Sequence, residues 1–193
     1  MKKLLFCVST GFFITLYFIL TLFVLPEQFL STEQLVPQPY LKIDLSDSDV
    51  SLGDSFRLDI VSENRGDYGD IHIVSVAFPD LVEIDQVVKI ATYDFTQSSH
   101  YVSIGDKIGA KYSGGLESTF SKYPSIEAMT RPAYPEIKNH LGLIITPEKL
   151  GIFTIYVKSV DIPHTSNLSH YPSSGFLDHQ DEYVLVYLVN VNP

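Results

Sequence analysis

Hydrophobic residues recur at every second position in several segments of this chain, and only a β-strand turns that period into one buried face. In the first segment, Leu41, Ile43 and Leu45 alternate with charged side chains. Residues 56–60 and 153–157 repeat the pattern. Each of these segments is therefore predicted to be a half-buried strand.

Other strands are predicted from less regular patterns. Residues 183–191 are almost continuously apolar, which is typical of a strand that is covered on both faces or mostly paired. Ile71 and Ile73 are out of phase with Val74 and the apolar positions that follow, so we predict a β-bulge between 73 and 74. Three weaker segments complete the set: 82–91, 101–104 and 141–146.

About seven or eight short strands without a strong helix between them predict an antiparallel β-sandwich, an all-β fold. Residues 125–130 are expected to form one helical turn. Two segments, 105–140 and 161–180, are longer than ordinary turns and rich in aromatic residues. Loops of that length in a compact domain are usually functional or disordered, and the aromatic content argues against disorder.

The first residues of the chain predict a membrane anchor. Lys2 and Lys3 precede an uncharged run from Leu4 to Leu25. As a helix this run of about 22 residues is about 33 Å long, enough to cross a hydrocarbon core of about 30 Å. The lysines place the N-terminus inside and the remainder of the chain outside the cytoplasm. A cleaved signal peptide is the alternative, but it has a shorter apolar region and a small-residue cleavage site.

These boundaries predict a single-pass protein of the cell membrane. Residues 1–25 are the transmembrane helix that contacts the lipid bilayer, 26–39 are a proline-containing linker, and 40–193 are one domain outside the cytoplasm. The one cysteine, Cys7, lies in the anchor, so the outer domain has no disulfide and no thiolate metal site. With 23 acidic and 13 basic residues, the chain would repel nucleic acid, which is excluded as a partner.

Two motifs combine a turn with a strand. The first is a Gly-Asp start, an alternating strand and an Asn-x-Gly end; the second reads Leu-Gly-x-aromatic-x-apolar. Their residues are Gly53, Asp54, Asn64, Gly66, Leu150, Gly151, Phe153 and Ile155. On these motifs, residues 40–191 resemble the membrane-anchored immunoglobulin-like β-sandwich surface proteins of prokaryotes, including archaeal ones.

This resemblance implies an immunoglobulin-like sandwich that acts as an adhesion or surface module. The chain departs from it at Phe153, where many such domains have tyrosine. It also has no tryptophan and no pair of cysteines to join two sheets, so an antibody-type domain is not indicated.

The candidate metal ligands are His164, His170 and His179, in the second long segment. Neutral imidazoles suit Cu or Zn, and an acidic surface collects cations. The spacings are irregular, however, and loop histidines that bond backbone or water are the competing interpretation. A second candidate is a calcium site in the acidic stretch after the first strand, which lacks a complete calcium-loop motif. Its residues are Asp44, Asp47, Asp49 and Asp54.

Two short motifs lie on predicted turns or loops. Arg65-Gly66-Asp67 coincides with a turn that requires glycine, and we interpret it as a turn rather than as an adhesion ligand. Asn167 begins an Asn-Leu-Ser sequon and is the predicted glycosylation site.

No sequence signature of an enzyme is present: there is no nucleophile elbow, zinc-protease motif, phosphate loop or dinucleotide fingerprint. We therefore expect a non-enzymatic interaction module of the cell envelope, without a cofactor, whose long aromatic loops contact another envelope protein or a glycan. Two alternatives stay open. One is a Cu- or Zn-binding accessory protein that uses the histidine-rich loop, and the other is the outer domain of a pilus- or motility-type assembly subunit.

Overall fold

The computed structural model describes residues 2–21, 35–108, 119–163 and 168–193. The chain divides into two compact units, Met1–Gln34 and Leu35–Pro193. The first contains helix α1, Lys2–Ile19, in which the hydroxyl of Thr15 donates to the Gly11 carbonyl at 2.9 Å. Within the described part of the chain, no helix has both the length and the apolar character needed to cross a membrane. Residues 22–25 of the predicted anchor lie outside the described residues.

The second unit is all-β. Its described strands are β1 (Pro39–Leu45), β2 (Asp49–Ser51), β3 (Phe56–Asn64), β4 (Ile71–Ala77), β5 (Val88–Tyr93), β6 (His100–Val102), β7 (Lys107–Ile108), β8 (Thr119–Phe120), β9 (Ser125–Thr130), β10 (Lys138–Ile145), β11 (Gly151–Ile162), β12 (Ser169–Tyr171), β13 (Phe176–Leu177) and β14 (Tyr183–Asn192). Each of the eight segments predicted from the sequence overlaps one of these strands.

The strands form two main sheets. Sheet A has the order β1-β3-β10-β5, and sheet B has the order β13-β14-β11-β4-β9-β6. Strand β12 pairs with the end of β11, β2 pairs with the end of β14, and β7 and β8 form a separate ribbon. The β2–β14 pairing is parallel. The main-sheet ladders are antiparallel, in agreement with the predicted class.

The core lies between the two sheets and follows the predicted alternation. Phe56 and Ile60 of β3 are at most 2% exposed, and Phe153 and Ile155 of β11 are at most 5% exposed. The rings of Phe56 and Phe153 meet edge to face with centroids 6.1 Å apart, which joins the sheets through a favourable aromatic geometry.

The predicted bulge in β4 is wrong. The register of β4 against β11 runs without a shift from Ala77 to Ile71, and so does its register against β9. His72 and Val74 share the core face, and Ile73 on the opposite face is only 6% exposed. Because both faces are covered at this point, apolar residues of either parity are accommodated in one regular strand.

Two other local predictions are corrected. Residues 125–130 form strand β9 instead of a helical turn, because Ile126 and Ala128 point into the core and the strand pairs with both β4 and β6. The predicted strand 82–91 begins only at Val88, since a turn precedes it in which the amides of Val87 and Val88 both donate to the Ile84 carbonyl.

Candidate functional site

The outer face of sheet B is apolar where β11, β14 and β13 lie side by side. The members of this surface, called the apolar face below, are Ile152, Tyr156, Phe176, Val186 and Leu188. Three of them are more than half exposed: Ile152 at 62%, Phe176 at 70% and Leu188 at 53%. Tyr156 and Val186 are directly paired in register and partly buried between them.

This surface corrects one of the two interpretations of the last strand, that both of its faces are covered, whereas its pairing with β11 over residues 185–191 agrees with the other. The sequence of β14 is apolar at nearly every position, but only one of its faces is covered by the core. Val189 and Val191 point inward and are at most 4% exposed, whereas Leu188 points outward. The apolar run of β14 is therefore continuous because apolar residues occupy both its core face and its exposed face.

Sheet A has a different outer surface. Arg57 Nε lies 2.5 Å from Asp59 Oδ2, and its Nη2 donates to the Thr92 hydroxyl at 3.1 Å. These side chains lie across Gly142, where an added Cβ would be 2.8 Å from Arg57 Nη2. Ile144 is partly exposed beside them at 36%. Charged and hydrogen-bonded groups thus cover much of this sheet, in contrast to the apolar face.

A lysine fixes the segment 172–182 against the outer side of sheet B. Lys158 Nζ donates to Asp178 Oδ2 and to Gln180 Oε1, each at 2.9 Å, and also to Glu182 Oε2. Asp178 Oδ1 in turn accepts the backbone amides of Gln180 at 2.7 Å and Glu182 at 3.1 Å. All three protons of the ammonium group have acceptors, so the segment that carries Phe176 is anchored by charge-assisted hydrogen bonds.

The same contacts control the ionisation of Glu182. Burial alone would raise the pKa of this carboxyl group. The hydrogen bond from His170 and the positive charge of Lys158 outweigh burial and lower the pKa to about 2. Glu182 therefore stays ionised through the whole physiological range and holds both partners.

The predicted histidine ligands are engaged separately. His170 Nε2 lies 3.0 Å from Glu182 Oε1. His179 Nε2 accepts the Lys122 amide at 3.3 Å, and its ring packs edge-on against Tyr123 with centroids 5.3 Å apart. His164 lies outside the described residues, so the three-histidine Cu or Zn site stays a prediction.

No set of three or more His, Cys, Asp or Glu side chains is grouped to hold a metal ion within the ranges that the structure describes. The acidic stretch that was a candidate calcium site falls in those ranges. One of its members, Asp49, instead accepts a hydrogen bond from Asn190 Nδ2 at 3.0 Å. Asn167, the predicted glycosylation site, is outside the described residues.

The two long segments meet beside the apolar face. Tyr123 of the first segment contacts Tyr156 with ring centroids 6.0 Å apart, and His179 of the second packs on the same Tyr123 ring. Other tyrosines lie elsewhere: Tyr134 packs on Tyr68 at 5.6 Å. The long segments thus add aromatic surface to the sheet, but only part of their aromatic content is gathered there.

The Arg-Gly-Asp turn is used internally, as the sequence interpretation required. The guanidinium of Arg65 lies 3.2 Å from the centroid of the Tyr40 ring and pairs with Glu63. Asp67 Oδ2 accepts the Val36 amide at 3.0 Å. A Cβ on Gly66 would lie 2.3 Å from the Val36 carbonyl oxygen, so glycine is needed here for close backbone approach.

A buried polar trio connects the two sheets. Ser62 Oγ of β3 is hydrogen-bonded to His72 Nε2 of β4, and His72 Nδ1 lies 2.5 Å from Asp161 Oδ1 of β11. The three side chains are between 0% and 1% exposed. Asp161 Oδ2 has no hydrogen-bond partner among the described residues. A second bridge lies beside the trio, where the Thr130 hydroxyl donates to Asn139 Oδ1 at 2.7 Å.

Ser, His and Asp in this order are the groups of a hydrolase triad, but among the described residues each of the three side chains is at most 1% exposed, so the Ser62 hydroxyl is not presented to a substrate. Its geometry is that of an internal bridge. The sequence alone does not connect His72 with Ser62 or Asp161, because the three residues belong to three different strands. The sequence does contain a signal for these two partners. Ser62 in β3 and Asp161 in β11 are polar residues at positions whose alternation predicts that the side chain points into the core.

Comparisons with known proteins identify no family. No protein-family model matches this sequence, and no curated protein matches it. Solved structures do show similarity. A cohesin module from a Clostridium perfringens family 33 glycoside hydrolase is 11% identical and has a TM-score of 0.38, covering 82% of this chain and 98% of that one.

Two further structures show similarity at the same level. The CARDB domain of a Pyrococcus furiosus protein, solved in complex with di-metal ions, is 12% identical with a TM-score of 0.35, over 84% of this chain and 98% of that one. A putative membrane-anchored protein from Corynebacterium diphtheriae is 13% identical with a TM-score of 0.40, over 79% of this chain and 34% of that one. At these values, the fold assignment depends on the sheet topology itself and not on the neighbours.

Proposed function

We propose that this protein is a non-enzymatic interaction module of the cell envelope that binds a protein partner through the apolar face. The observation that carries the proposal is the exposure of Ile152, Phe176 and Leu188 on one sheet while the other sheet presents paired charges. Contiguous exposed apolar side chains with a polar surround are typical of protein-binding surfaces.

The chemistry of this surface favours a protein over a glycan as the partner. Two of its three most exposed members are aliphatic, and aliphatic side chains gain from contact with other apolar side chains but offer nothing to sugar hydroxyls. The Lys158 contacts hold the Phe176 segment before a partner arrives, which reduces the ordering cost of binding.

We further propose that the module is held at the cell membrane with its β-domain outside the cytoplasm. The support is in the sequence: the uncharged run from Leu4 to Leu25 after two lysines. Flotation of vesicles that carry the full chain tests the attachment. The chain should stay with the lipid after a carbonate wash at high pH, and its release into the wash would contradict the anchor.

Site-specific photo-cross-linking in intact cells tests the binding surface. A photoreactive phenylalanine analogue replaces Ile152 on the apolar face or, as the matched control, Lys42 on the outer face of sheet A. The Ile152 variant should give a discrete cross-linked species that Leu188→Asp abolishes, and the Lys42 variant should not. Equal cross-linking from both positions, or none from Ile152, would overturn the proposal.

A further inference from the structure

The edge of sheet B beside β14 is only partly paired. The hydrogen bonds at its two ends show which residues direct their backbone N–H and C=O groups away from β11. The carbonyl of Glu182 accepts the Asp178 amide, the amide of Asn190 donates to the Ser48 carbonyl, and the carbonyl of Asn192 accepts the Leu52 amide, each at 2.8 Å. Alternate residues of a strand direct their N–H and C=O groups to the same side. The even-numbered residues of β14 therefore direct their backbone N–H and C=O groups away from β11.

Within the part of the chain that the structure describes, two of these even-numbered residues have no neighbouring strand on this side. Val184 pairs with Phe176 of β13, and Asn190 pairs with Asp49 of β2. Between them, the outward N–H and C=O groups of Val186 and Leu188 have no backbone partner among the described residues. These four polar groups, bounded by β13 on one side and β2 on the other, are called the edge slot below.

The other sheet edges carry features that discourage pairing with another chain, whereas the edge slot does not. Strand β1 contains Lys42 and Asp44, β5 contains Lys89, and β6 is three residues long. In contrast, residues 183–189 contain no charged side chain. An uncharged, unpaired edge is a template on which another strand can pair. Proteins usually protect such an edge, so an unprotected one indicates a binding site.

We propose that the edge slot binds a short extended peptide segment of a partner protein by β-strand addition, with apolar side chains at its centre and basic residues on both flanks. This inference deepens the proposed function, on which it rests, by naming the backbone site and the partner chemistry. Main-chain pairing supplies affinity in this mode of recognition, and alternate side chains supply specificity. Alternate side chains of the added strand lie beside Leu188 and extend the apolar face.

The slot limits what can enter it. At about 3.4 Å per residue, the stretch from Val184 to Asn190 is about 20 Å long, and its ends are occupied by β13 and β2. About three paired residues fit between them. Strand β14 of a second copy is 10 residues long and would collide with both bounding strands, which argues against a symmetric dimer through this edge.

Charge complementarity selects the flanks of the peptide. Asp181 is exposed at the β13 end of the slot, and Asp47 and Asp49 are exposed at the β2 end. The whole chain has a formal net charge of −10, which attracts a cationic segment over a longer range. Lysine or arginine residues on either side of an uncharged centre therefore match this edge.

Peptide binding to the full chain in phosphatidylcholine nanodiscs tests the inference, with empty nanodiscs as the blank. The probe is a fluorescent peptide with a Val-Thr-Val centre between pairs of lysines. The control peptide has the same side chains but N-methylated central amides, which cannot complete the ladder. Fluorescence anisotropy should show binding of the probe and at least about tenfold weaker binding of the control.

Two variants separate pairing at the slot from an effect elsewhere in sheet B. Val186→Pro removes one N–H donor of the slot. This N–H does not pair with β11, and proline is tolerated at a sheet edge in such a position. The variant should weaken peptide binding at least about tenfold. Tyr101→Thr, on β6 at the opposite edge of sheet B, leaves the slot unchanged and should stay within about threefold. Amide exchange at Val186 and Leu188 should slow when the probe binds, which also tests the site if the proline variant does not fold.

Absence of binding, equal affinity for the N-methylated peptide, or exchange protection at another edge would overturn the inference. These failures are distinct from failure of the proposed function. A partner cross-linked from Ile152 without peptide binding would leave the apolar face as the binding surface and remove the edge slot. Peptide binding without a cross-link would retain the slot and remove the apolar face.

Discussion

Removal of the Asp161 carboxylate should destabilise the β-domain strongly, because the trio it completes is sealed between the sheets. In Asp161→Ala, His72 loses the partner of its Nδ1, and the ring cannot turn to water because it is 1% exposed. Ser62→Ala is a milder change on the other side of the same ring. It removes one hydroxyl and leaves His72 in contact with Asp161.

The expected magnitudes follow from burial. Breaking a buried ionic or charge-assisted pair by removing one partner costs about 3–5 kcal/mol, whereas leaving one neutral group unsatisfied costs about 1–3 kcal/mol. A domain of this size shifts its Tm by about 2–4 °C per kcal/mol. Asp161→Ala should therefore lower the Tm by about 6–20 °C. Total stabilities are about 5–15 kcal/mol, so the variant should be close to the limit of folding.

Thermal and urea unfolding of the full chain, followed by tyrosine fluorescence and far-ultraviolet circular dichroism, measures these differences. The chain has 12 tyrosines and no tryptophan, so tyrosine is the intrinsic probe. A matched triple variant, Ser62→Ala with His72→Leu and Asp161→Val, removes all the polar groups at once. It should be much less destabilised than Asp161→Ala, because no buried group is left without a partner.

Two results would refute this reasoning. A cost below about 1 kcal/mol for Asp161→Ala would mean that water or another group reaches His72, so the trio is not sealed. A triple variant that is less stable than Asp161→Ala would mean that the trio contributes more through its own bonds than it costs in desolvation.

Three further outcomes are expected. Gly66→Ala should lower the free energy of unfolding by about 1–3 kcal/mol in urea titrations, because its Cβ would meet the Val36 carbonyl oxygen at 2.3 Å. The pKa of Glu182 is lowered from 4.5 to about 2 in the folded state, so its stabilisation is complete above pH 4.5 and is lost as the pH falls towards 2. Urea titrations across this range should show a loss of at most about 3 kcal/mol, reduced by partial exposure, and Glu182→Gln should not show it. Lys158→Met should make residues 172–182 cleavable in limited proteolysis, and unchanged cleavage would show that the ammonium group does not hold them.

The sequence predicts the sandwich well because its period of two is a direct result of the geometry of a strand with one buried face. Where a strand is buried on both faces, the spacing of apolar residues no longer shows which side chains point into the core. This is why Ile71 and Ile73 suggested a bulge that β4 does not contain. The helical turn expected at residues 125–130 is absent for another reason, because pairing with two neighbouring strands imposes a strand there.

The candidate site was harder to predict because it depends on residues far apart in the chain. Lys158 belongs to β11, whereas Glu182 directly precedes β14. The Ser62 and Asp161 groups that bond His72 come from opposite sheets. A single sequence shows which residue types are present but not which strands become neighbours. The exposed face of β14 could not be predicted for a related reason: a continuous apolar run does not distinguish exposed positions from buried ones.

The alternation along β11 has a consequence for how this protein can vary. Ile152, Thr154 and Tyr156 point outward, while Phe153 and Ile155 between them fill the core. Successive positions of one strand are thus under separate constraints, so the outward positions can be randomised as a library without repacking the interior. Such a library offers a route to new binding specificities at nearly constant melting temperature, with β11 as the scaffold of the engineered surface.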